Sequence, residues 1–74
     1  MTGVILSACW AHDKGSMNPR FDALAVRLRR AGQPDWLGEL PVVGERIRKL
    51  ATLVGQEVAV ELDEQGTVLR WRTL

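Results

Sequence analysis

The chain has 74 residues, 46% of them hydrophobic and 26% charged, with ten basic and nine acidic side chains for a net charge of +1. Such a composition excludes a disordered chain, and the length allows one domain over residues 1–74, small enough that a homodimer sharing an apolar surface would supplement its core. The near-neutral balance excludes strong non-specific attraction to polyanions, and a single cysteine excludes an internal disulfide.

At the start of the chain, Val4 to Trp10 is an apolar run with the character of a short buried strand. It includes Leu6-Ser7-Ala8-Cys9, which looks like a lipoprotein processing box. No basic residue precedes it, and the apolar stretch is too short for a signal peptide. His12 to Ser16 is turn chemistry, and Gly15-Ser16-Met17 resembles a cloning junction, which would place the native start at Met17. Residues 1–18 are therefore expected to be a peripheral strand and turn, with the core in 19–74. No segment approaches the roughly 20 apolar residues of a membrane span, so the expected setting is soluble and cytoplasmic.

A helix is expected next. Asn18 suits an N-cap and Pro19 a first helical position. Phe21, Leu24, Ala25, Leu28 and Ala31 recur with helical spacing, and Gly32 suits a left-handed stop. Val26 falls outside that stripe, on the outer face beside Arg30, and hints at a partner surface. Gln33 to Pro41 reads as a connector holding at most one helical turn, with Trp36 and Leu37 plugging the core. A second helix is expected over Val43 to Val54, with Val43, Ile47, Leu50, Ala51 and Val54 buried and Gly55 stopping it. Val42, Glu45, Arg46 and Lys49 then form an exposed ridge.

The end of the chain reads as a β-hairpin. With Asp63 to Gly66 as the loop, Leu62 faces Thr67, Val60 faces Leu69 and Val58 faces Trp71. Those apolar residues share the inner side, and a slip of one residue would mix them with Arg70. The outer side receives Arg70 opposite Ala59 and Arg72 opposite Glu57. Gly66 supplies the positive φ that closes the loop.

Little in the chain supports catalysis or a cofactor. Cys9 and His12 have Cys-x-x-His spacing, but a structural zinc needs four protein ligands and no second cysteine or histidine exists. Val42 to Lys49 has no Gly-x-x-x-x-Gly-Lys frame for a phosphate loop. A non-catalytic regulatory module is the expectation.

The expected fold class is α+β, strand–helix–helix–hairpin. From Arg20 to Leu74 this order of elements resembles a winged helix-turn-helix. The resemblance implies a transcription regulator binding duplex nucleic acid. Glu45, Arg46 and Lys49 would then lie at the major groove, with Arg70 and Arg72 of the hairpin on phosphates. The competing expectation, favoured by the low net charge, is a regulator or inhibitor that docks on a larger protein complex through Val26, Arg30, Val42 and Leu53.

Overall fold

The computed structural model describes residues 1–42 and 50–74. They form five strands: β1 (Thr2–His12), β2 (Pro19–Arg30), β3 (Gln33–Pro41), β4 (Glu57–Leu62) and β5 (Val68–Thr73). All pair antiparallel in one sheet of order β3-β2-β1-β4-β5. Among the described residues only Leu50–Leu53 are helical, in a single 3-10 turn. The α+β, winged-helix-like expectation is therefore wrong: the fold is all-β.

The first expected helix is β2, and the error has a specific source. Residues spaced by four satisfy both the helical period and the strand period of two, so Leu24 and Leu28 fit either. The residues that distinguish the two periods are Val26, Arg27 and Arg29. Leu24, Val26 and Leu28 are buried in alternation with exposed Arg27 and Arg29. Phe21 and Ala31, which a helix would have buried, are exposed. Pro19 opens the strand, where its missing N–H breaks no ladder. Ala31 and Gly32 form the tight turn between Arg30 and its partner Gln33, with Gly32 at φ +71°. The left-handed residue read as a helix stop thus closes a hairpin.

The expected connector is β3, whose Trp36, Gly38 and Leu40 face Leu28, Val26 and Leu24 of β2. Gly38 is required by a close approach. A Cβ there would lie 2.4 Å from the Trp36 indole, which covers this glycine. Gly38→Ala should push the ring toward water, costing about 1–3 kcal/mol. Urea denaturation and a red shift of tryptophan emission would check this.

The strand expected at Val4 to Trp10 is present and longer, and it is central to the sheet rather than peripheral. A chain starting at Met17 would lack the middle of the fold. Thr2 to Val4 pair with β4, whereas Val4 to His12 pair with β2, with a bulge at Leu6. The bulge lets one strand serve two halves of a coiled sheet.

Of the second expected helix, residues 43–49 lie outside the described residues, and Leu50–Leu53 form the 3-10 turn. Gly55 follows, and its N–H donates to the Ile5 carbonyl.

The two edge strands come together where Trp71 of β5 donates its Nε1–H to the Pro41 carbonyl of β3 at 2.6 Å. Both strands run the same way, because an odd number of antiparallel steps separates neither from β1. Followed across this contact, the cyclic order is β1-β2-β3-β5-β4. That order resembles the partly open five-stranded Greek-key barrel of the OB type. Inside it, Ile5, Leu24, Leu28, Leu40 and Val58 are fully buried with Val26 and Val60 beside them. Each such side chain contributes about 1.5–3 kcal/mol of transfer free energy. Trp10, Trp36 and Trp71 pack half-buried around this core.

In the C-terminal hairpin, parity is as expected but register is not. Val60 pairs with Trp71, Glu61 with Arg70, and Ala59 with Arg72. The Asp63 carboxylate accepts from the N–H groups of Gln65 and Thr67, building a loop one residue longer than expected. A bulge then separates the Glu61–Arg70 pair from Leu62–Val68. The net displacement along β5 is two residues, which leaves Trp71 inward and Arg70 and Arg72 outward. Leu69, expected in the core, occupies the bulge at 58% exposure, and half-buried Val68 packs on the core instead.

Candidate functional site

On the outer side of β4 and β5, alternation aims Glu61, Ala59, Arg70 and Arg72 away from the barrel interior. The N-terminal end of β1 lies alongside, so Thr2, Ala59 and Arg72 form one row across three strands. Met1 anchors this end by exchanging both backbone hydrogen bonds with Val60. The result is an open groove of about 750 Å³ lined by Thr2, Ala59, Glu61, Arg70, Trp71 and Arg72, among others. That volume lies within the range of small-ligand sites.

The groove is charged unevenly. The Arg70 Nε–H donates to Glu61 Oε2, so one guanidinium already has a counter-charge. Arg72 faces Ala59 and has no ion pair among the described residues. The sequence had assigned partners the other way, with Arg72 opposite Glu57 and Arg70 opposite Ala59. Other cations are mostly engaged elsewhere. Arg27 pairs with Asp35 at 2.9 Å, and Arg30 donates twice to the Pro34 carbonyl. Arg20 sits among Asp22, Glu39 and Asp13, at 3.2, 3.5 and 3.9 Å. The Asp22 hydrogen bond and the charges of these carboxylates hold its guanidinium above its ordinary pKa. Arg29 on β2 is exposed and, like Arg72, has no ion pair among the described residues.

The other expected site residues are scattered. Glu45, Arg46 and Lys49 lie outside the described residues. Val26 is buried in the barrel, and Val42 and Leu53 pack half-buried against the core. Arg30 is half-buried at the β2–β3 turn. These four present no common surface, because the strand period turns Val26 inward.

Two groove residues, Thr2 and Glu61, escaped sequence reasoning. Glu61 would have been found opposite Arg70 only with both the longer hairpin loop and the bulge at Leu69 taken into account. No sequence signal brings Thr2 to the row of Arg72, since that contact depends on the non-local pairing of β1 with β4.

Cys9 is exposed on β1. Among the described residues no three His, Cys, Asp or Glu side chains converge as a metal site. No helix among them is long and apolar enough to cross a membrane. No family model, curated protein or solved structure matches the chain.

Proposed function

We propose that the protein is a small non-catalytic, cytoplasmic regulatory module that binds single-stranded nucleic acid in the groove across β1, β4 and β5. The observation that carries this reading is the placement of exposed Arg72 and Arg70 on the same outward face of β5, along one open groove. Guanidinium groups suit phosphates, whose oxygens their planar forks match. Five-stranded Greek-key barrels bind oligonucleotides on the face of their second and third strands, so the groove's own cations, not the fold, carry the reading. A strand surface without a long helix beside it, among the described residues, favours a single strand over a duplex major groove.

Fluorescence anisotropy with a labelled oligothymidylate of about ten nucleotides tests the reading, within the usual site size of one such barrel. Binding is expected at ~50 mM salt and should fall as salt rises. Arg72→Ala should flatten the slope of log affinity against log salt by about 0.7, the value for one phosphate contact on a single strand. No anisotropy change at ~50 mM salt would overturn the proposal, because electrostatic association is strongest there.

One alternative has specific support. Edge strand β3 carries Leu37 at 71% exposure, and the net charge is only +1. A protein partner adding a strand to that edge would use both features. This reading expects no oligonucleotide binding and loss of the partner on Leu37→Asp.

A further inference from the structure

We infer that the groove takes two consecutive phosphates of an oligonucleotide, the first on Arg72 and the second on Arg70, with Glu61 as the counter-charge that the second phosphate must displace. This rests on the proposed nucleic-acid reading and adds the ligand's repeat and a residue that sets its selectivity.

Arg70 and Arg72 project from the same side of β5, two residues apart and hence about 6.8 Å along the strand. Consecutive phosphates of an extended nucleic-acid strand have a similar spacing, so one guanidinium can serve each. The two positions are not equivalent. Arg72 lies opposite uncharged Ala59, whereas Arg70 lies opposite Glu61 and donates to it. That pair is easily exchanged, with side chains 81% and 50% exposed. Exposed ion pairs contribute little net free energy, and a phosphate accepts from a guanidinium at least as well as a carboxylate does. A ligand with one phosphate is therefore satisfied by Arg72 and leaves Glu61 in place. A longer strand recruits Arg70 and sets the Glu61 carboxylate free in the groove, where it repels the incoming charge. The cation released from the second phosphate is then offset by one drawn to Glu61.

The test is Glu61→Gln, which keeps the shape and removes the charge. Affinity for the oligothymidylate at low salt should rise roughly two- to five-fold, the value of a surface ion pair expressed as a ratio. The salt slope should steepen by about 0.7 as the second phosphate contact becomes uncompensated. Thymidine monophosphate should bind the variant and the parent protein alike. Adding Arg70→Ala to Glu61→Gln should return the slope to the parent value. An unchanged thermal midpoint would confirm that the groove is intact in each variant. If the parent protein binds the oligonucleotide but Glu61→Gln leaves affinity and slope unchanged, this inference fails while the nucleic-acid reading stands. An equal gain for thymidine monophosphate would overturn the two-phosphate assignment. Absence of oligonucleotide binding by both proteins would overturn both readings together.

Discussion

Val26→Asp should unfold the protein. Val26 is 4% exposed, pairs with Ala8 on one side and Gly38 on the other, and belongs to the central cluster of the barrel. The cluster holds no buried polar or charged side chain, so the new carboxylate would find no cation inside. An unpaired charge in an apolar interior costs several kcal/mol even after its pKa rises, and a domain of this size has only about 5 kcal/mol to lose. Circular dichroism should report loss of the β signal, and an amide correlation spectrum should collapse to random-coil shifts. Leu37→Asp is the matching surface change and should alter stability by no more than about 0.5 kcal/mol. On the outer face of a helix, Val26 would have tolerated aspartate just as easily, so the substitution separates the two architectures.

Trp71→Ala should cost about 3 kcal/mol, the largest loss expected from any half-buried residue of the hairpin. The indole packs on the core cluster opposite Val60, and its Nε1–H supplies the hydrogen bond to Pro41 that joins the two edge strands. Removing a large aromatic from a core costs about 3–5 kcal/mol, reduced here because part of the ring meets solvent. Trp71→Phe keeps most of the packing and loses the bond, for about 1 kcal/mol. Urea midpoints should therefore fall in the order parent, Phe, Ala. A Trp71→Ala protein as stable as the parent would mean that the barrel does not depend on this closure.

Local patterns recovered the C-terminal hairpin best. Asp63 to Gly66 contain the turn chemistry, and the alternation of Val58, Val60, Trp71, Arg70 and Arg72 assigns each to its side whatever the register, provided the displacement is even. Register itself depended on how the Asp63 side chain caps two backbone amides, and on a bulge that no composition rule announces. Of the candidate site, Arg70 and Arg72 were legible as outward cations. The carboxylate that guards one of them was misassigned, because a displacement of two residues changes every cross-strand neighbour while preserving every face.

The segment from Pro19 to Arg30 was read as helix for a different reason. Ala, Leu and Arg are good helix formers, and intrinsic preference pointed one way while the alternation of Leu24, Val26 and Leu28 with Arg27 and Arg29 pointed the other. Composition, turn positions at Gly32 and Gly66, the strand character of the first apolar run and the inner face of the last hairpin were settled by residues near one another in the chain. The conversion of β2 and β3 to strands, the central place of β1, and the groove that sets Thr2 in one row with Ala59 and Arg72 were decided only when distant segments paired. A helix satisfies its backbone within one segment, whereas β2 needs β1 on one side and β3 on the other. The free energy that selects the strand therefore lies in partners that no local window contains.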